Sequence, residues 1–137
     1  MREVLPGLLW IGNARDIRAF RKILSAGITA IVDLAMEELP IQPPRDIIYC
    51  RFPLLDGEGN PPALLQIVVQ TTASLIRNNL PTLVACGGGM SRSPAVVAAA
   101  LASVRTAPID RMLQDVTGNG LHDVSPALWS ELRQAVI

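Results

Sequence analysis

The sequence predicts an α/β fold: a three-layer sandwich with a central, mainly parallel sheet of about four to five strands flanked by helices. Two patterns point there. Short apolar, β-branched runs alternate along the chain with stretches of helical spacing, the order that builds parallel sheets with helical crossovers. The run Ala95 to Val104 is apolar all round, as expected of a helix buried in the middle of a domain. The 137 residues, half of them hydrophobic, suit a single domain over 1–137 with a sizeable core.

Leu8 to Ile11 reads as a first short strand and Gly12-Asn13 as a turn. Ala14 to Ala26 carries Ile17, Phe20, Ile23 and Leu24 at helical spacing, and Gly27 stands where a helix C-cap belongs. Ile28 to Leu34 reads as a buried strand. Glu37 to Arg45 holds three prolines and is a loop. Ile47 to Phe52 is a further strand, expected to stop before Pro53. Leu54 to Pro62 is a second loop, and Ala63 to Asn78 a helix entered through Pro61-Pro62. Leu83 to Ala85 is a buried strand. Ile109 to Val116 is a short helix, Gly118-Asn119-Gly120 a loop, and Ser125-Pro126 an N-cap and first position for a last helix over Ala127 to Val136.

Composition narrows the function. Twelve basic residues balance twelve acidic ones, which gives no support for a nucleic-acid or membrane-surface protein. No apolar run reaches the roughly 18 residues that span a bilayer. The N-terminal residues lack the apolar core of a signal peptide. Two cysteines make no disulfide framework, so a reducing, cytoplasmic setting is expected.

The chemistry gathers in one loop, Cys86-Gly87-Gly88-Gly89-Met90-Ser91-Arg92-Ser93. A strand ends at the cysteine, and Arg92 and Ser93 open a helix. The three glycines allow a tight turn with backbone N–H groups facing inward. Such a nest beside a helix N-terminus is an anion site. Its field also favours a thiolate, so Cys86 is expected to be acidic and nucleophilic. Arg92 offers a planar fork matched to two phosphate oxygens. Residues Gly87 to Arg92, including Met90 and Ser91, are the expected phosphate cradle.

The cysteine, five residues, arginine spacing followed by Ser93 resembles the cysteine-based protein tyrosine phosphatase superfamily, and within it the small dual-specificity phosphatases. Leu9 to Ala14 is similar to that family's opening strand and turn, Ala26 to Leu34 to its next strand, and Tyr49 to Asp56 to the strand entering its general-acid loop. Asp56 to Pro62 also resembles the lipid-phosphatase branch. The resemblance implies phosphate monoester hydrolysis through a phosphocysteine. Cys86 is the implied nucleophile, Arg92 the clamp, Asp56 the general acid, and Ser93 the hydroxyl that steadies the departing thiolate. It implies no metal or organic cofactor, and a phosphorylated protein or small phosphoester as partner. The family usually carries histidine before the cysteine, where this chain has Ala85, and the loop has no lysine, unlike branches acting on highly phosphorylated inositides.

Other readings stand beside these. Asp56 before glycine is also a turn former, with Glu58 the fallback acid. Asp33 ends a strand and is a candidate hydrogen-bonding partner within the fold. Cys50 reads as strand packing, with a regulatory disulfide to Cys86 as the alternative. His122 is the only histidine, too few for a metal site, and reads as a surface residue or loop anchor. Trp10 and Trp129 read as packing. Three competing functions are a phosphate-binding module with poor turnover, a phosphatase for a non-protein ester such as an inositide, and a sulfurtransferase or arsenate reductase. With few aromatics and no long insertion, the pocket is expected to be shallow.

Overall fold

The computed structural model describes residues 1–118 and 122–136; Asn119 and Gly120 of the expected loop lie outside them. Strands β1 (Arg2–Leu5), β2 (Leu9–Asn13), β3 (Ala30–Ala35), β4 (Ile48–Leu54) and β5 (Thr82–Cys86) form one sheet, in the order β1-β2-β5-β3-β4. The pairs β2–β5, β5–β3 and β3–β4 are parallel. Only β1 runs antiparallel, against β2. Helices α2 (Pro62–Arg77), α3 (Arg92–Arg105), α4 (Ile109–Val116) and α5 (Pro126–Val136) share one large core with the sheet, around Leu9, Val32, Val84 and Cys86. A thinner layer on the other face, built on α1 (Phe20–Ser25), covers Trp10, Ile31, Leu83 and Ala85. Alternate residues of each central strand therefore feed opposite cores, which is the two-residue period of a strand buried on both faces. The three-layer α/β architecture is the one expected.

Every residue from Arg92 to Leu101 in α3 is buried, as the apolar run from Ala95 onward requires. The cysteine strand β5 lies third of five, and Asn13 of β2 pairs with Cys86 in register. The loop after Cys86 thus leaves the carboxyl end of a central strand, where parallel sheets open to ligands.

Five expectations need correction. The helix over Ala14 to Ala26 is instead a 3-10 turn at Asp16–Arg18 and the short α1. The Arg18 side chain takes the Ala14 carbonyl at 2.5 Å, while the Arg18 backbone N–H turns to the Arg15 carbonyl at 3.2 Å. An α-helical bond would join those two backbone groups, so its formation is pre-empted. Gly27, at φ +79°, does cap α1, and the Ile28 N–H reaches back to the Ile23 carbonyl. Second, β4 runs through Pro53 to Leu54. It is an edge strand, and Pro53 sits where the register slips, with Asp33 opposite Arg51 but Ala35 opposite Leu54. At an edge bulge the missing N–H breaks no ladder. Third, the N-terminal segment is a strand, β1, joined to β2 by a turn in which Glu3 accepts the Gly7 N–H. Fourth, β3 starts at Ala30 rather than Ile28, because the N–H groups of Thr29 and Ala30 both go to the Pro81 carbonyl. Fifth, Gly12-Asn13, expected as a turn, continues β2 and pairs with Ala85-Cys86.

Candidate active site

The loop from Gly87 to Ser91 closes over Cys86. The Gly89 N–H donates to Cys86 Sγ at 3.2 Å. Gly89 needs its glycine: φ is +77°, and a Cβ there would lie 2.9 Å from the Gly12 backbone carbonyl oxygen. A Cβ on Gly87 would lie 2.8 Å from Glu37 Oε1 and 3.0 Å from an Arg92 amino nitrogen, whereas one on Gly88 would meet nothing within 4 Å. Two of the three glycines are thus demanded by contact, and the middle one is not. The Ala14 N–H donates to the Gly87 carbonyl and fastens the loop to the end of β2.

Arg92 is 5 % exposed. One amino group donates to the Leu54 carbonyl at 3.0 Å and the Leu34 carbonyl at 3.4 Å, at the ends of β4 and β3. The other donates to Glu37 Oε1 at 2.6 Å. The hydrogen bond from Arg92 holds the Glu37 carboxyl below its usual range, partly opposed by desolvation. Burial pulls the guanidinium down, but Glu37, with Cys86 and Asp56 behind it, more than offsets this and its pKa is raised. Three fully buried donor atoms have no hydrogen-bond partner among the described residues: Arg51 Nε, which faces Asp33, and, in the site, Arg92 Nε and Ser93 Oγ. Buried polar groups are rarely left unpaired in proteins.

Asp56 is exposed at the tip of the β4–α2 loop, yet its carboxylate is held. Ser91 Oγ donates to Asp56 Oδ1 at 2.6 Å and accepts the Ser125 N–H at 3.0 Å. Ser91 stands at the N-cap position of α3 but makes no capping bond, so its hydroxyl serves the aspartate instead. Buried Asn60 bonds both backbone groups of Leu55 and the Gly57 carbonyl, setting the shape of the loop. The sequence points to Asp56, Cys86 and Arg92, and the fold brings all three to one end of the sheet with Ser93 beneath. Glu58, also exposed, makes no comparable contact among the described residues.

No protein-family model matches the sequence. Dual specificity phosphatase 28 of Mus musculus is 30 % identical over 136 residues, spanning 96 % of this chain and 81 % of that protein. The chain belongs to the dual specificity phosphatases. Among solved structures of that family, human DUSP28 superposes with a TM-score of 0.84 at 26 % identity, covering 99 % of this chain and 95 % of that one. A mouse protein described as a dual specificity phosphatase complexed with zinc tungstate superposes at 0.83 with 28 % identity, covering 97 % and 84 %.

Within this phosphatase fold, Ala85 is buried in the thinner core among Trp10, Ile31 and Leu83, facing away from Cys86. Asp33 is buried, accepts the Tyr49 hydroxyl and the Ala35 N–H, and lies 3.9 Å from Arg51 Nε; it is a partner within the fold. Burial, with the Asp33 bond next, pushes the Tyr49 phenol up. Arg51 donates to the carbonyls of Ala35, Met36 and Glu38 and so shapes the loop that carries Glu37. Cys50 is half-buried and in no disulfide, its thiol pushed up by burial. His122 accepts the Val124 N–H and anchors its loop. Trp10 is core, and Trp129 bonds Asp110. Among the described residues no three His, Cys, Asp or Glu side chains are grouped to hold a metal, and no helix is long and apolar enough to cross a membrane. Sequence reasoning missed Glu37 as the partner of Arg92 and Ser91 as the tether of Asp56. The signal for Glu37 was an acidic pair separated by one residue from the end of β3, beside β5, whose following loop leads to Arg92.

Proposed function

We propose that the chain is a phosphate monoester hydrolase of the protein tyrosine and dual-specificity kind, working through a phosphocysteine. The two orphaned buried donors of the site, Arg92 Nε and Ser93 Oγ, carry this reading: the first suits a phosphate oxygen held over Cys86, the second the departing thiolate. The Cys86 thiolate attacks phosphorus in line, a P–S bond forms and the ester P–O bond breaks. Arg92 and the N–H groups of Gly87 to Arg92 hold the equatorial oxygens as charge moves between them. Asp56, kept in place by Ser91, protonates the leaving oxygen, then takes a proton from the water that cleaves the P–S bond. Ser93 donates to the sulfur as it departs. A usable thiol fits a reducing, cytoplasmic location. Hydrolysis of p-nitrophenyl phosphate by wild type and Cys86→Ser tests the reading, and equal rates reject it.

A second reading, a phosphate-binding module with little turnover, is favoured by Ala85, which supplies no hydrogen bond to the cysteine loop. It expects a phosphopeptide to bind while turnover stays at background.

A further inference from the structure

The mouth of the site has a composition that phosphate chemistry does not use. Met36, Leu39, Leu55 and Met90 are 46, 79, 41 and 54 % exposed. Exposed large apolar side chains gathered at one place usually mark a surface that something covers. Each is bound to the site through its own backbone or a neighbour. Met36 precedes Glu37, which holds Arg92, and Leu55 precedes Asp56, which Ser91 holds. Met90 is in the cysteine loop. The Leu39 carbonyl accepts from Arg18, whose other amino group holds Ala14, and Ala14 is tied to Gly87.

The same two loops are acidic. Residues 36–47 and 55–61 hold Glu37, Glu38, Asp46, Asp56 and Glu58 against one cation, Arg45, which pairs with Asp46. Two arginines reach the first loop from outside it: Arg51, from β4, is spent on three carbonyls and Asp33, and Arg18 on the carbonyls of Leu39 and Ala14. Exposed Arg15, next to Ala14, is on the opposite flank. A substrate crossing the β3–β4 side therefore meets apolar side chains among carboxylates that outnumber the cations. Such a field attracts cationic segments and repels polyanions.

We propose, resting on the phosphatase reading above, that the substrate is a phosphopeptide segment with apolar and basic residues beside its phosphorylated side chain. Esters that carry further negative charge are rejected. The phosphate itself is taken by the buried Arg92, and Met36, Leu39, Leu55 and Met90 receive the neighbouring apolar residues.

The test compares phosphotyrosine peptides flanked by Leu and Lys/Arg with the same peptides flanked by Leu and Asp/Glu. Phosphatidylinositol phosphate vesicles and a nucleoside monophosphate are further arms, and p-nitrophenyl phosphate is the reference. The basic-flanked peptide is expected to show roughly ten-fold higher kcat/KM than the acidic one, the gap shrinking in high salt. Glu38→Lys should narrow it, and Leu39→Ser should raise KM for Leu-flanked peptides while leaving p-nitrophenyl phosphate hydrolysis as in wild type. Equal rates on the two peptides, or preferred turnover of the vesicles or nucleotide, overturns the proposal. Should wild type fail on p-nitrophenyl phosphate, catalysis is what has failed. Anisotropy with labelled peptides on Cys86→Ser then gives the ranking: tighter binding of the basic-flanked peptide supports the proposal, and equal binding of the two overturns it.

Discussion

The three consecutive glycines of the cysteine loop have identical chemistry and different surroundings, so replacing each by alanine separates contact from mere flexibility. At Gly89 the backbone is left-handed and the new Cβ would lie 2.9 Å from the Gly12 carbonyl oxygen and 3.1 Å from its carbon. The left-handed conformation costs a non-glycine residue about 1–2 kcal/mol. The overlap is with backbone in β2, which cannot swing away, and overpacking of that kind adds about 1–3 kcal/mol. Loss of unfolded-chain entropy returns about 0.4–1 kcal/mol. The net destabilisation is about 1–4.6 kcal/mol, a fall in Tm on the order of 10 °C for a domain of this size. The Gly89 N–H would also leave Cys86 Sγ, and losing one such donor costs about 10²–10³ in rate. Gly88→Ala meets nothing within 4 Å and should change Tm by no more than about 2 °C. Gly87→Ala meets only the far ends of Glu37 and Arg92. Glu37 is half-exposed and can turn aside, so activity should suffer more than stability. Scanning fluorimetry of the three variants, with p-nitrophenyl phosphate rates, decides. If Gly88→Ala unfolds as early as Gly89→Ala, the contact argument is wrong.

Other outcomes follow from the same geometry. Asp56→Asn should lower kcat by about 10²-fold or more on esters with poor leaving groups and much less on aryl phosphates, because the proton it supplies matters most to a basic leaving oxygen; uniform losses would point to another acid. Ser91→Ala frees Asp56 without removing it, so kcat for poor leaving groups should drop by about ten-fold, with a modest fall in Tm because the Ser125 N–H also loses its acceptor; an unchanged leaving-group dependence would sever the two residues. Glu37 has a folded-state pKa below its unfolded one, so its contribution to stability is complete above the unfolded carboxyl range. It is lost as pH falls through the lower folded value. Glu37→Gln should therefore flatten the acid limb of Tm against pH below about 4.5, and an acid limb as steep as wild type would contradict the pairing. Cys50, with its thiol pushed up by burial, should resist iodoacetate near neutral pH; mass mapping that finds Cys50 labelled first would contradict that.

The architecture was legible because its cues are local and redundant. Alternating apolar runs named four of the five strands, and the apolar stretch after the cysteine named the central helix. β1 escaped because it owes its strand state to pairing with β2, and only Val4 and Leu5 within it are apolar. The helix expected across Ala14 to Ala26 failed for a similar reason. Its spacing was right, and Ile17 and Ile23 are buried, but a side chain rather than a backbone N–H claimed the Ala14 carbonyl. In the site, Cys86 and Arg92 could be read together because six positions separate them. Glu37, 55 residues from Arg92, and Asp56, 35 residues from Ser91, meet only through the sheet order, which no local pattern encodes.

The sheet order also explains how the chain keeps a buried guanidinium beside Cys86. An isolated charge in that position would cost several kcal/mol. Arg92 avoids this by resting on carbonyls at the ends of β3 and β4 and on one carboxylate from the loop after β3. These contacts use both terminal amino groups and fix the plane of the fork, leaving Nε beside the cysteine loop as the unpaired donor. Orientation of the fork is thus set before any phosphate arrives, which is where electrostatic catalysis gains most. Glu37 is at once a support and a neighbouring negative charge, since it sits half in solvent against Gly87. Neutralising it should weaken the hold on Arg92 while easing the approach of a dianion. The KM of Glu37→Gln would then fall, or rise less than kcat falls; loss of binding alone, with kcat intact, would mean that its support matters only for capturing phosphate.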